Sequence, residues 1–538
     1  MIQINKPNKM KYTKFVHNFL ADSAERFPEK PAFFANNTWH TYREINDQAN
    51  KLAHYLAETG IQKGDRVALL IENSVEYVIT YYAILKAGAI TVALNTENTA
   101  RDIEYILDDC EVSLLVVSQK LFLTARGLFE RKSNAEGISP RREREKVKNW
   151  FNKVLLWSNQ KKIELENSET EVVLLPVAIE KLPETNPDIR IIDLDVASIV
   201  YTSGSTGKPR GATLTHMNIV TNTRSIVEYL ELTSDDRIMV VLPFYYIYGK
   251  SLLNTHFFVG GSVVVDNRFL YPNVTLKTMQ EQKATGFSGV PTTFTILLNR
   301  SDVRNYKFEH LRYLTQAGGA MAPAVQKEVA EVFAPAKLFI MYGATEAAAR
   351  LSYLDPADLP RKWGSIGKAI PNVELYVADE HGNPLPVGEQ GEIVARGANL
   401  MSGYWNHPEE TEKVLRNGLY WTGDIGRMDE EGFIYVVGRS KDMLKVGGNR
   451  VSAKEIEEAL YEHPEVSEVA VIGIPDKILG EAVKAFVVLK NGKKEITDEL
   501  NSFLYQRIPS YKIPQYYEYR DSLPKNESGK IQKLALKD

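Results

Sequence analysis

Cysteine is almost absent from this 538-residue chain, and the single Cys110 leaves no partner for an intramolecular disulfide. Long apolar runs are missing as well. No stretch reaches eighteen apolar residues, and the first thirty lack the continuous apolar core of a secretory signal. These absences make a cytosolic chain the expectation, where thiols stay reduced, and make Cys110 an expected buried small hydrophobe. The nine histidines form no His-Glu-x-x-His pattern and no Cys-x-x-Cys exists, which argues against a zinc site. Charge of one sign is also lacking: a net −4 gives no global attraction to nucleic acid or an anionic membrane.

What is present is an ordinary globular composition, 44% hydrophobic and 25% charged, in a chain too long for one core. Residues 14 to 118 alternate helical and strand-like segments. Phe15 to Phe27 and Tyr42 to Glu58 read as amphipathic helices, while Arg66 to Ile71 and Ser113 to Val117 read as buried strands. Such alternation predicts βα units around parallel sheet. Between about Lys120 and Pro183 the pattern breaks into a charged segment containing Arg141 to Lys148, whose mixed signs favour a solvated helix over a nucleic-acid patch. That segment reads as an insertion that packs on the surface or joins a partner.

The stretch around which the chemistry gathers is Tyr201-Thr-Ser-Gly-Ser-Thr-Gly-Lys-Pro-Arg-Gly211, directly after the apolar run Ala197 to Tyr201. Gly204, Gly207 and Gly211 permit positive φ and close backbone approach, so that successive N–H groups can face an anion. Thr202, Ser203, Ser205 and Thr206 add neutral donors, and Lys208 and Arg210 add charge that a phosphate would neutralise. It is not a Walker A loop, because Pro209 follows Lys208 where Ser or Thr is required. Standing alone, such a run would read as a polar surface turn.

It does not stand alone. Tyr342-Gly-Ala-Thr-Glu346, Tyr420-Trp-Thr-Gly-Asp424, Gly438-Arg-Ser-Lys-Asp442 and Pro524-Lys-Asn-Glu-Ser-Gly-Lys530 follow in order. Together with the loop they resemble the adenylate-forming superfamily, which comprises acyl-CoA synthetases, peptide-synthetase adenylation domains and luciferases. The resemblance covers nearly the whole chain. It implies an α/β fold with a large N-terminal AMP-binding region of βα-built subdomains, residues 1–440, and a small mobile α+β domain, residues 441–538. It further implies ATP and Mg²⁺, with ATP bound by residues 202–208, by Gly318, Gly319 and Ala320 along the adenine, by Tyr342 stacked on its face, and by Asp424 on the ribose hydroxyls. Arg439 would support the ribose or the phosphate.

By the same resemblance Glu346, beside Thr345, holds the metal, since a carboxylate next to a triphosphate needs a cation between them. Lys530 bridges substrate carboxylate and α-phosphate, a task for a compact mobile charge. Lys441 falls at the hinge, and the Lys445-Val-Gly-Gly-Asn-Arg-Val-Ser452 loop, with Gly447 and Gly448, meets the acceptor thiol. Ser452 and Glu455 fit a capping box opening a helix from Ala453 to Tyr461, ahead of strands Val466 to Gly473 and Ala482 to Leu489 and a helix from Ile496 to Arg507.

Pro243-Phe-Tyr-Tyr-Ile-Tyr-Gly249 aligns with the stretch that walls the carboxylate pocket, together with Gly318. Tyr246 stands where acyl-CoA synthetases commonly carry His. Ile247 stands where α-amino-acid enzymes place an aspartate, and an aliphatic side chain cannot neutralise a buried ammonium. An α-amino acid is therefore a poor substrate, and a small, medium-chain or aromatic acid is expected. His216, at the start of a helix running to Leu230, is expected to be structural. Coenzyme A is the expected acceptor because no carrier domain follows Lys530; a separate acyl or peptidyl carrier protein is the alternative.

Overall fold

The computed structural model describes residues 13–129, 153–160, 170–202, 209–439, 443–446, 449–476, 480–490, 495–525 and 531–536. Two compact units emerge. One comprises residues 1–236, 244–265 and 401–407, and the other residues 237–243, 266–400 and 408–538.

In the first unit the strands Val196–Thr202, Ile90–Ala93, Arg66–Leu70, Leu114–Ser118, Lys153–Trp157 and Glu171–Leu174 lie side by side and parallel. Arg210–Thr215 and Gly403–Tyr404 add antiparallel strands beside Val196–Thr202. The parallel strands read as near-continuous apolar runs because both faces are covered, and residues such as Leu70, Val92, Leu115 and Leu156 are buried to within 0% exposure. The connecting helices begin where the sequence marks them. For Tyr42–Glu58, Thr41 Oγ1 accepts from Glu44 N at 3.2 Å while Glu44 Oε2 accepts from Thr41 N at 2.8 Å, a closed capping box. The Lys120 to Pro183 segment departs from the expected break in pattern. Its described part contains helix Gln119–Phe129 and the two strands Lys153–Trp157 and Glu171–Leu174, which continue the parallel sheet. The short apolar runs Val154-Leu-Leu156 and Val172-Val-Leu174 were masked by surrounding charge; Arg141 to Lys148 lie outside the described residues.

In the second unit Arg237–Val240, Gly286–Gly289, Tyr313–Gln316 and Lys337–Tyr342 form a parallel set extended by antiparallel Ser352–Leu354 and Lys368–Ala369. An antiparallel sheet follows, Val373–Ala378, Gln390–Gly397, Leu419–Met428 and Ile434–Arg439. The C-terminal part is the expected α+β fold. Val466–Asp476 and Gly480–Leu489 form a long antiparallel pair joined by Met443–Val446 and by parallel Tyr516–Tyr519, with helices Ala453–Tyr461 and Thr497–Tyr505. Alternation along the pair gives it two cores. Val469, Val471, Val483 and Val487 bury against the helices, and Ala470, Ile472, Phe486 and Val488 bury against Leu523 and Leu536. The expected boundary after residue 440 falls on residues outside the described set.

Candidate active site

Parallel strands deliver their carboxyl ends to one edge of a sheet, and in open α/β sheets that edge is where ligands bind. In the second unit three turns leave from such ends, the last two carrying motifs read from the sequence: Val290-Pro291 after Gly289, Ala317 to Ala320 after Gln316, and Gly343 to Glu346 after Tyr342. Gly318 adopts φ +84°, and a Cβ there would sit 3.0 Å from Val290 Cγ1, so this turn and the Gly289 turn abut. Gln316, buried at the strand end, turns its Nε2 back to donate to Gly319 O at 2.8 Å and fixes the turn. Gln316 carries no signal beyond that of a polar residue closing an apolar strand.

Tyr342, Asp424 and Arg439, far apart in sequence, meet. The Tyr342 hydroxyl donates to Asp424 Oδ2 at 2.6 Å, and Arg439 Nε lies 3.1 Å from Asp424 Oδ1. Asp424 is placed by an irregularity in the sheet. Glu392 pairs with Ile425 and Val394 with Trp421, so Thr422, Gly423 and Asp424 oppose Ile393 alone and bulge out. The bulge is held by Thr422 Oγ1 donating to Ile393 O at 2.8 Å and Gly423 N donating to Glu392 Oε1 at 2.8 Å. Arg439 is the cross-strand partner of Asp424 on Ile434–Arg439. Burial, then the neighbouring Asp424 carboxylate, push the Tyr342 phenol well above its ordinary range, so it remains a donor. A carboxylate that is only 7% exposed and already holds two partners is fixed in orientation, with lone pairs left for further donors.

Thr345 and Glu346 occupy a short 3-10 turn, Thr345–Ala347, not the start of an α-helix. The chain then doubles back through Ala348 at φ 52° and Ala349 at φ 120°. A Cβ at position 343 would stand 1.9 Å from Ala349 O, which is why glycine follows Tyr342. Among the described residues no group of three His, Cys, Asp or Glu side chains could hold a metal. One carboxylate nevertheless suits Mg²⁺, which keeps several waters and takes its other ligands from phosphates.

In the first unit the base of the phosphate loop is defined, while Ser203, Gly204, Ser205, Thr206, Gly207 and Lys208 lie outside the described residues. Thr202 pairs with Arg210 across the antiparallel strands, and Thr202 Oγ1 donates to Arg210 O at 3.4 Å. Tyr201 secures the strand: its hydroxyl donates to Asp109 Oδ2 at 2.6 Å and lies 3.1 Å from Cys110 Sγ. Arg210 stacks 5.0 Å over the Tyr404 ring. Of the two freedoms that glycine brings to position 211, positive φ is not used. Gly211 lies inside Arg210–Thr215, and a Cβ there would come within 2.5 Å of Ile199 Cγ2, so the requirement is close approach.

Tyr246 immediately precedes and Ile247 opens the helix Ile247–Val259, both partly buried, with the Tyr245 and Tyr246 rings 4.7 Å apart. That helix is tied to the phosphate-loop strand by Lys250, a residue the motif comparison passed over. Fully buried, its Nζ donates to Ser198 Oγ at 3.2 Å and lies 5.5 Å over the Tyr81 ring. Burial with neutral partners pushes Lys250 down to about 7. His216 has the structural role expected of it: its Nδ1 accepts from Val16 N at 3.1 Å at the buried start of His216–Tyr229.

The Lys445 to Ser452 stretch is less open than a loop. Met443–Val446 and Asn449–Ser452 are paired strands, Lys445 opposite Arg450, bracketing Gly447 and Gly448, which lie outside the described residues with Lys441 and Lys530. Ser452 Oγ accepts from Glu455 N at 3.3 Å, but the Glu455 carboxylate is held by Lys512 Nζ at 2.6 Å instead of closing the box. Ser452 and Lys454 also donate to Val437 O and Val436 O, tying this helix to the strand that carries Arg439.

Comparison with known proteins gives the family and the fold. The family model described as AMP-binding enzyme matches residues 20–405, and that of the AMP-binding enzyme C-terminal domain matches residues 455–530. A long-chain-fatty-acid–CoA ligase of Bacillus subtilis is 35% identical over 97% of this chain and 94% of its own. A feruloyl-CoA synthase of Amycolatopsis is 33% identical over 95% of this chain and 96% of its own. Among solved structures, an anthranilate CoA ligase in complex with anthranoyl-AMP superposes with a TM-score of 0.86 at 27% identity, covering 99% of this chain and 98% of that one. ATP-bound MatB from Rhodopseudomonas palustris superposes with a TM-score of 0.82 at 29% identity, covering 97% and 98%.

Proposed function

The chain belongs to the AMP-binding enzyme family, and from that premise we propose that it is an acyl-CoA synthetase working in two half-reactions. In the first, a carboxylate oxygen of the substrate attacks the α-phosphorus of ATP. The bond from that phosphorus to the bridging oxygen breaks, pyrophosphate leaves, and an acyl adenylate forms. In the second, the coenzyme A thiol loses its proton, its sulfur attacks the acyl carbon, and AMP departs to leave a thioester.

The observation that carries this reading is the Tyr342–Asp424–Arg439 constellation, formed beside the Gly318 turn and the Glu346 turn. Asp424 would accept from the ribose hydroxyls and the Tyr342 ring would meet adenine. Arg439 orients the carboxylate, and Gly318, Gly319 and Ala320 allow the flat base to approach. Thr202 to Lys208 would cradle the phosphates. Mg²⁺, taken by Glu346 beside Thr345, would supply a positive charge between carboxylate and phosphates. Lys530 would stabilise charge gathering on the α-phosphate oxygens; positioning and electrostatics carry such a step.

For the second half-reaction we place the domain boundary after residue 440 and the hinge at Lys441, with Lys445, Gly447 and Gly448 turning toward the thiol. The acid is read as one without an α-ammonium, since Ile247 replaces the aspartate that would pair it, and the family resemblance assigns Tyr246, Ile247 and Gly318 to its recognition. The acids named for these relatives, fatty, ferulic and anthranilic, support that reading. No helix among the described residues is long and apolar enough to cross a membrane, and we assign the protein to the cytosol, where ATP and coenzyme A are available.

The test is pyrophosphate release over a panel of carboxylic acids, with and without coenzyme A. Acid-dependent release, with thioester only when coenzyme A is added, is expected. Adenylate that passes only to a carrier protein would move the acceptor assignment, oxygen-dependent light or product without a thiol would indicate a luciferase-like reaction, and no acid-dependent release at all would overturn the reading.

A further inference from the structure

The turn that carries Glu346 is held by a residue with no role in the chemistry above. Tyr342 pairs with Ser352 across antiparallel strands, and Leu351 N donates to Tyr342 O at 2.9 Å, so residues 343–350 form a loop closed at its base. The backbone path inside that loop is unusual. Ala348 at φ 52° and Ala349 at φ 120° are consecutive residues with positive φ, neither of them glycine, directly after the Thr345–Ala347 turn. An alanine is disfavoured there by its own Cβ, and two in succession persist only where the surroundings over-determine them.

Asn399 supplies that determination. It follows the strand Gln390–Gly397 and is fully buried, and its Nδ2 donates to Ala347 O at 3.1 Å and to Arg350 O at 2.8 Å, the carbonyls on either side of the alanine pair. An amide nitrogen has two N–H bonds, and both are taken by this one loop. Because both neighbours are carbonyls, which would repel Oδ1, the amide can face them only with its nitrogen. Oδ1 itself meets no hydrogen-bond partner among the described residues. A buried acceptor left unpaired is costly, so asparagine is a poor choice for stability alone, and its use points to the geometry that its two donors impose. The loop's internal bonds satisfy only N–H groups: Ala347 N and Ala349 N donate to Ala344 O at 3.1 and 3.3 Å, and Ala348 N donates to Thr345 O at 3.1 Å. Burial divides the loop in the same way. Ala347 to Arg350 are buried, while Thr345 and Glu346 are partly exposed, so Asn399 grips the buried half and leaves Glu346 on the open side.

We propose that Asn399 is a positioning residue for the metal: by clamping the carbonyls of Ala347 and Arg350 it fixes the direction in which Glu346 meets Mg²⁺ bound with ATP. The inference rests on the metal role proposed for Glu346. Without the clamp the alanine pair relaxes toward ordinary φ, and the peptide after Glu346, which leads straight into that pair, moves with it. Mg²⁺ tolerates such a shift poorly, because it demands near-ideal octahedral geometry at about 2.0–2.1 Å.

The experiment uses the full-length chain and calorimetry of ATP binding in MgCl2 and in EDTA, so it reads binding without turnover. The quantity read is the factor by which Mg²⁺ tightens ATP. In Asn399→Leu, which keeps the approximate shape and removes both donors, that factor should shrink at least about fivefold while affinity in EDTA stays within about twofold, since the Gly318 turn, Tyr342 and Asp424 are untouched. A merely structural role would weaken ATP equally in both buffers. Glu346→Gln is run alongside, and adding Asn399→Leu to it should reduce the factor no further, because Asn399 acts through that carboxylate. Asn399→Ser keeps one donor in a smaller side chain and should lose at least about twofold of the factor, which keeps the inference open to refutation should the leucine variant fold poorly. Failure of both variants to fold would make Asn399 a folding determinant and refute a role confined to the site. If Glu346→Gln loses the Mg²⁺ factor while Asn399→Leu keeps it, the positioning role is refuted and the proposed function stands. If Glu346→Gln itself keeps the factor, the metal assignment falls and the inference falls with it.

Discussion

Replacing Asp424 by Asn separates binding from folding at the centre of the proposed site. Asn keeps the shape of the side chain and can still accept the Tyr342 hydroxyl, which now donates to Oδ2 at 2.6 Å. What it loses is the charge and one acceptor. The Arg439 contact contributes little to stability, because the Arg439 side chain is 45% exposed and such pairs are worth about 0–1 kcal/mol. The unfolding midpoint should therefore shift by only a few degrees, on the order of 2–4 °C or less. A ribose hydroxyl donating to a buried carboxylate is a charge-assisted bond worth roughly 1.5–3 kcal/mol. At about 1.4 kcal/mol per decade, losing one such bond raises the KM for ATP roughly tenfold to a hundredfold. ATP–pyrophosphate exchange at varied ATP reads this directly. Repeating it with 2′-deoxy- and 3′-deoxy-ATP closes a cycle, because an analogue that already lacks the donor should discriminate less between Asn and Asp. An unchanged KM for ATP, or equal losses with ATP and both deoxy analogues, would refute the ribose assignment.

Lys441→Pro should leave acid-dependent pyrophosphate release intact and stop thioester formation, since proline fixes φ where the proposed hinge must change it; equal loss of both would remove the hinge from Lys441. Burial holds His216 down to about 4 and His17 down to about 3, below the unfolded value of 6.5. The unfolded chain therefore takes up these protons first as pH falls, so stability is full above about pH 6.5 and declines toward pH 4. Unfolding midpoints measured across that window should fall less steeply for His216→Gln than for the parent, and parallel slopes would contradict the assignment. Cys110 is fully buried beside Tyr201, and burial pushes its thiol up to about 12. A thiol reagent should leave the native protein unmodified at neutral pH and react with one equivalent per chain in denaturant; rapid native labelling would place the sulfur elsewhere.

Much of the architecture could be read from single segments. The Tyr42 helix has the bounds expected of it because its capping residues, Thr41 and Glu44, are three apart and act within one turn. The strands expected over Val466 to Gly473 and Ala482 to Leu489 lie within the observed pair Val466–Asp476 and Gly480–Leu489, and the superfamily was legible in five ordered motifs. Where charge surrounded the apolar residues, as at Lys153–Trp157, the same method failed, because four or five residues carry too little periodicity to outweigh their flanks.

Local sequence thus determined the bounds of the capped helix Tyr42–Glu58 and that Ile247 cannot pair an ammonium. It did not determine that Asp424 would be lifted out of its sheet by a bulge to meet Tyr342 and Arg439, that Lys250 would be buried against Ser198, or that Asn399 would hold the turn that carries Glu346. Capping and alternation act over a few residues and leave a mark in the order of the chain. Ion pairs and buried polar contacts between distant segments depend on strand order and packing, and those exist only once the sheets have closed on their cores.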